Sequence, residues 1–107
     1  MDMNGFKNID VMGLRNLLET GGVHLVDVRT DAEIAQGCID GATKLPLHLL
    51  PLRLHELDAA APTVFYCRTG GRSAQAAAFA AAQGFSDAYN LQGGIFAWAQ
   101  SGGEIVS

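Results

Sequence analysis

Short strand-type runs alternate with helix-patterned segments along the whole of this 107-residue chain, and few folds accommodate that order. Phe6 to Ile9 reads as a short strand, and after Asp10 the apolar positions Val11, Leu14, Leu17 and Leu18 share one helical face until Gly21-Gly22 stops it. Val23 to Val28 is a β-branched run of strand type, and Thr30-Asp31-Ala32-Glu33 has capping-box spacing for a short helix ending by Gly37. Ala42 to Leu45 reads as a third strand, Pro46 to Leu57 as a leucine-rich helix, and Thr63 to Tyr66 as a fourth strand. The segment Arg72 to Gln83 is an alanine-rich helix closed by Gly84, Ala88 to Leu91 a fifth strand, and Gly93-Gly94 introduces a last helix around Ile95 to Gln100. Strands separated by helices run parallel, so the expected architecture is α/β: a mainly parallel five-stranded sheet with helices on both faces.

The length admits one domain, 1–107 with a core of about 6–106, because a chain of this size supports a single hydrophobic core. Its longest apolar stretch, Ala76 to Ala82, is far too short to span a membrane. A net charge of -4 without any run of Lys or Arg argues against nucleic acid or an anionic membrane as partner. Met1 to Lys7 lacks a basic start followed by an apolar core, which reads as a cytoplasmic chain. Cys38 and Cys67 share no metal-type spacing with His24, His48 and His55, so no metal site is expected.

The chemistry concentrates in Cys67-Arg68-Thr69-Gly70-Gly71-Arg72-Ser73, a cysteine at the end of a strand followed by a glycine loop that opens a helix. The thiolate is the nucleophilic form of cysteine, and both a helix N-terminus and neighbouring cations favour it. Gly70 and Gly71 permit positive φ, so successive N–H groups can turn inward as a nest for an anion. Arg68 and Arg72 add fixed charge suited to a sulfonate-like group or a persulfide anion on Cys67. In an open parallel sheet ligands bind beyond the carboxyl ends of the strands, where Cys67 falls; Arg29 and Leu47-His48 follow other strands and reach the same rim. Cys38 precedes its strand, is expected at the opposite end, and is therefore not expected to pair with Cys67.

At this point the chain resembles the single-domain rhodaneses, a sulfurtransferase family, from Phe6 to Val106. Leu25-Val26-Asp27-Val28-Arg29 followed by Glu33, Gly37, Ile39, Gly41-Ala42 and Leu45-Pro46 resembles the family's D-V-R strand and E-x-x-x-G-H-I-x-G-A stretch. Cys67 to Arg72 resembles its active-site loop, and Gly93-Gly94-Ile95-Phe96-Ala97-Trp98 with Gly102 its closing signature. Cys38 stands where histidine is usual, Ile34 where an aromatic is frequent, and Glu104 where proline is common.

The resemblance implies that the Cys67 thiolate takes the outer sulfur of a donor such as thiosulfate, expels sulfite, holds a persulfide, and passes the sulfur to a thiophilic acceptor. Arg68 and Arg72 would attract the donor oxyanion, and the N–H groups of Thr69, Gly70, Gly71 and Ser73 would form the cradle. No cofactor is implied beyond the covalent persulfide; the partners are small sulfur donors, thiol acceptors and, as a candidate, a sulfur-carrier protein. Two other readings stand beside this one. Phosphatases and arsenate reductases of the same fold use a longer loop than the four residues between Cys67 and Arg72, and the domain can also serve as a persulfide carrier or interaction module. Asp27 and Arg29 are candidates for orienting the loop from behind or for an ion pair of their own. Cys38 reads as a packed residue, His48 as exposed, and Trp98 with Phe96 as packing the last helix, with an indole N–H that needs a partner if buried.

Overall fold

Val26, Phe65 and Ala88 point to one side of a sheet, and Leu25, Val64, Tyr66 and Leu91 to the other, because side chains alternate along a strand. Both faces are apolar, as a covered parallel sheet requires. In the computed structural model, which describes residues 5–107, strands β1 (Lys7–Ile9), β2 (His24–Asp27), β4 (Thr43–Lys44), β5 (Thr63–Tyr66) and β6 (Ala88–Leu91) form this sheet. The order is β1-β6-β5-β2-β4, every pairing is parallel, and the expected α/β architecture is the one observed. The reading of the extreme N-terminus falls partly on residues 1–4, outside those described.

Helix α1 (Val11–Thr20) begins where the Asp10 carboxylate accepts from the Gly13 N–H at 2.8 Å, and it packs Val11 and Leu14 against one face. Helix α5 (Gly94–Gln100) brings Trp98 to the same face. The other face is covered by α4 (Gly71–Ala82), whose Ala76, Ala77 and Ala80 are fully buried. Alanines let that helix lie close on the sheet at little side-chain entropy cost. The short helix α2 (Asp31–Ile34) carries the expected capping box: Thr30 accepts from the Glu33 N–H, and Glu33 accepts from the Thr30 N–H.

Five readings of the sequence need correction. Pro46 to Leu57 is not one helix but a 3-10 turn (Leu47–Leu49), a single α turn α3 (Leu50–Arg53) and a second 3-10 turn (Leu54–Glu56). Pro51 has no N–H to extend a helix backwards, and Arg53 at φ -119° departs from helical geometry. Leu18 lies on the exposed side of α1, and Phe96, read with Trp98 as packing the last helix, is exposed while Trp98 alone of the two is buried. A small antiparallel ribbon of β3 (Cys38–Ile39) and β7 (Ile105–Val106) was not foreseen.

Finally, Cys38 is not at the end of the sheet opposite Cys67. The Gly37 carbonyl accepts from Arg29 at 2.7 Å and the Ile39 N–H donates to the Tyr66 hydroxyl at 3.0 Å, which holds this segment beside the strand ends that carry the loop. Ile39, beside Cys38 on β3, packs with the α1 and α5 face, and Cys67 packs with the α4 face. Both cysteines are free thiols.

Candidate active site

Parallel strands deliver their carboxyl ends to one rim. Asp27 pairs with Tyr66 in register and the Val28 N–H donates to the Tyr66 carbonyl at 3.0 Å, so Arg29 and Cys67 leave the sheet side by side. Cys67 is buried, and its Sγ accepts from the Gly70 N–H at 3.1 Å and from the Ser73 hydroxyl at 3.3 Å. Burial alone pushes the thiol pKa up. The Ser73 hydroxyl and the backbone N–H groups of Ser73, Gly70 and Thr69 outweigh it, and the pKa falls below the ordinary cysteine value. Donors aimed at the sulfur, rather than arginine charge, lead this effect.

The loop takes its shape from two glycines of different sequence segments. Gly70 sits at φ +115° and lets the chain turn into α4 with its N–H facing the sulfur. Gly94, at φ +57°, lies so near the loop that a Cβ there would stand 2.5 Å from the carbonyl oxygens of both Cys67 and Arg68. Those carbonyls accept from the Ile95 N–H at 2.9 Å and the Phe96 N–H at 3.1 Å, amides in the first turn of α5. With its carbonyls turned to α5, the loop is free to direct N–H groups at Cys67. Gly71, by contrast, has no positive φ, and a Cβ there would meet nothing within 4 Å. Only Gly70 of the loop pair is needed for the bend.

The cations are placed differently from one another. Arg72 gives both terminal nitrogens to Glu33, at 2.7 and 2.9 Å, and that bidentate pair holds the Glu33 carboxyl down to about 2. Arg68 is exposed, enters no salt bridge among the described residues, and borders a groove of about 300 Å³ with Arg29, Glu33, Ile95, Phe96 and Ile105. Arg72 lines a second hollow with Val28, Pro46, Leu47 and the exposed His48. The rim residues Arg29, Leu47 and His48 thus flank the loop on its two sides.

Asp27 and Arg29 lie behind the loop as a buried ion pair, closest at 2.7 Å, with Asp27 also accepting from the Arg29 backbone N–H. Burial opposes the guanidinium charge, and Asp27 more than compensates. Arg29 stacks near the Tyr66 ring at 5.8 Å and fastens Gly37, which ties β2, β5 and β3 together beneath the loop. Among the described residues no group of three or more His, Cys, Asp or Glu side chains is placed to hold a metal.

Three contributors escaped the sequence reading. Asn90 accepts from Ser73 at 2.6 Å and donates to Asn8 at 3.1 Å; its signal was an amide in the otherwise apolar strand Ala88 to Leu91. Glu33 was read as a cap and is also the partner of Arg72. Gly94 was read as a helix start and is also where α5 meets the loop.

The chain is similar to known proteins along most of its length. A family model described as a rhodanese-like domain matches residues 11–101. A protein of Allochromatium vinosum named sulfurtransferase is 50% identical over 93 residues, covering 87% of each chain. The thiosulfate sulfurtransferase GlpE of Pseudomonas fluorescens is 41% identical over 96 residues, 90% of this chain and 87% of that one. The crystal structure of a rhodanese-like domain protein from Staphylococcus aureus superposes with a TM-score of 0.83 at 39% identity, covering 95% of this chain and all of the other.

Proposed function

The chain belongs to the rhodanese-like family, and from that membership we propose that it is a sulfurtransferase working through a persulfide on Cys67. The Cys67 thiolate attacks the outer sulfur of thiosulfate or of a persulfide donor. A new S–S bond forms, the donor's own bond to that sulfur breaks, and sulfite or a thiolate leaves with the electron pair. A thiophilic acceptor then attacks the outer persulfide sulfur and returns Cys67 to its thiolate. That acceptor is cyanide in an assay and a thiol or sulfur-carrier protein in the cell. Covalent catalysis divides one hard transfer into two easier ones, and the loop donors stabilise anionic sulfur in both.

The observation that carries this reading is Cys67 Sγ, buried and receiving Gly70 N–H and Ser73 hydroxyl donors inside a four-residue loop. So short a loop suits a sulfur atom better than a phosphate. Arg68 meets the donor anion from the groove, whereas Arg72 serves chiefly by holding the start of α4 to Glu33. Asp27 and Arg29 support the strand ends and touch no reacting atom.

The test is intact mass after exposure to thiosulfate. One added sulfur on the native protein, absent in Cys67→Ser, is the expected result, with thiocyanate formation from cyanide lost in the same variant. A native protein that takes up no sulfur from thiosulfate or from a persulfide donor would be an interaction module, and the proposal would fall.

A further inference from the structure

The Ser73 hydroxyl stands between two acceptors, Cys67 Sγ at 3.3 Å and Asn90 Oδ1 at 2.6 Å, and has a single proton to give. Asn90 in turn donates to Asn8 Oδ1 at 3.1 Å, so a polar chain runs from the sulfur through α4 and β6 to the exposed Asn8 on β1. The two asparagines are register partners on adjacent parallel strands. Ser73 is fully buried and Asn90 nearly so, which makes this chain a polar thread through an apolar layer beside the thiol.

We propose that Asn90 is a positioning residue that sets the direction of the Ser73 hydroxyl, presenting its oxygen when Cys67 is a thiol and its NH2 when the sulfur is anionic. In the observed arrangement the Asn90 oxygen faces Ser73 at the shorter distance and competes with Sγ for the one hydroxyl proton. That suits a thiol, which carries its own proton and needs none from Ser73. An anionic sulfur has no proton to give and needs the hydroxyl's. A half-turn of both amides supplies it: Asn8 NH2 donates to Asn90 Oδ1, Asn90 NH2 donates to Ser73 Oγ, and the hydroxyl donates to Sγ. Every buried polar atom keeps a partner in both arrangements, as burial demands. The last amide to turn is Asn8, where water can replace a lost partner.

The inference rests on Cys67 being the nucleophile of the proposed transfer, but its test reads the thiolate itself. The rate of Cys67 alkylation by iodoacetamide, followed by peptide mass, is measured against pH. Other charged and titratable groups around the sulfur are Arg68 in the loop, Arg72 on α4 with Glu33 of α2, the Asp27–Arg29 pair after β2, and His48 beside Arg72. Lys7 and Asp87 form a pair near Asn8. None of these is altered by the variants. In Asn8→Asp the carboxylate is an acceptor only, so it keeps the Asn90 NH2 turned outward and the Asn90 oxygen toward Ser73. The alkylation midpoint is expected to rise by about one pH unit, the loss of one hydrogen bond to a charged group.

Asn8→Ala leaves Asn90 free to turn and is expected to stay at the native midpoint. In a Ser73→Ala background Asn8→Asp is expected to have no effect, because the hydroxyl that relays it is gone. An unchanged midpoint in Asn8→Asp overturns the proposal. So does a shift that persists without Ser73, which would be plain charge acting through space. Should Ser73→Ala not fold, a salt series on Asn8→Asp decides the same point: the charge of an exposed carboxylate is screened, and a shift that vanishes at high salt overturns the relay.

Discussion

Cys67 gains its character from neighbours that differ in how much their identity matters, and glycine shows this most sharply. At Gly70 the φ of +115° is a conformation that side-chain-bearing residues rarely hold. Gly70→Ala is expected to cost about 1–2 kcal/mol in thermal or denaturant unfolding and to pull the N–H away from the sulfur. One residue later, Gly71 occupies the first turn of α4 with open space around it, and Gly71→Ala is expected to raise stability by about 0.5 kcal/mol. The sequence pair Gly70-Gly71 reads as one flexible unit; the structure divides it into a required glycine and a replaceable one. The two arginines divide in the same way. Arg68→Ala is expected to raise the thiosulfate KM roughly tenfold while kcat changes little, since it removes attraction for the donor alone. Arg72→Ala is expected to lower the melting temperature as well, because Glu33 loses its partner. Steady-state kinetics beside calorimetry separate the two. An unchanged KM in Arg68→Ala would mean that the backbone cradle alone holds the donor.

At the scale of elements, the loop is held by two helices that the chain supplies from either side of it. α5 approaches so closely that Gly94→Ala would drive a methyl into the carbonyls of Cys67 and Arg68, and overpacking of this kind costs about 1–3 kcal/mol. Because the same carbonyls orient the loop, Gly94→Ala is also expected to slow Cys67 alkylation at neutral pH. α2 holds α4 through Glu33 and Arg72. The Glu33 carboxyl, ordinarily at 4.5, lies at about 2 in the folded chain, so its contribution to stability is complete above about 4.5 and is lost as pH falls toward 2. A calorimetric pH series should show the melting temperature falling through that window. Glu33→Gln should flatten the fall and sit about 2–4 °C lower at neutral pH, a modest figure because the pair is partly exposed to solvent.

Which elements were readable follows from how local their causes are. Strands Thr63 to Tyr66 and Ala88 to Leu91 and the Thr30–Glu33 box depend on adjacent residues, and their boundaries were legible. The Pro46–Leu57 segment misled because Leu50 and Leu54 are spaced as on a helix and are both buried, while Pro51 bars a helix from extending backwards and Arg53 at φ -119° breaks it after one α turn. The Glu33–Arg72 pair and the Asn8–Asn90–Ser73 chain join residues dozens of positions apart. They become visible only once β1 lies beside β6 and α2 beside α4.

For the molecule as a whole, the site depends on the sheet edge and ribbon that close the fold around it. No helix among the described residues is long and apolar enough to cross a membrane, and the buried side chains divide into one cluster on each face of the sheet. The face opposite Cys67 is sealed by the last residues of the chain: the Glu104 carbonyl accepts from Trp98 Nε1 at 2.9 Å, and Val106 pairs with Cys38. Gly103 lies against the indole so closely that a Cβ there would stand 2.4 Å from it, and Arg15 of α1 lies over the ring at 4.9 Å. Trp98 is the sole tryptophan, so its emission reports this closure without interference. Deleting residues 104–107 removes β7, frees the indole N–H and uncovers Cys38. The expected result is a red-shifted emission and a Cys38 that alkylates rapidly in the native buffer. The melting temperature should fall by roughly 4–8 °C for each kcal/mol of lost packing. Cys67, held from the other face by α4 and from above by α5, should keep its alkylation midpoint. If that midpoint moved together with Cys38 exposure, the two faces of the sheet would form one cooperative unit, and the loop's geometry would depend on the ribbon as much as on the helices that touch it.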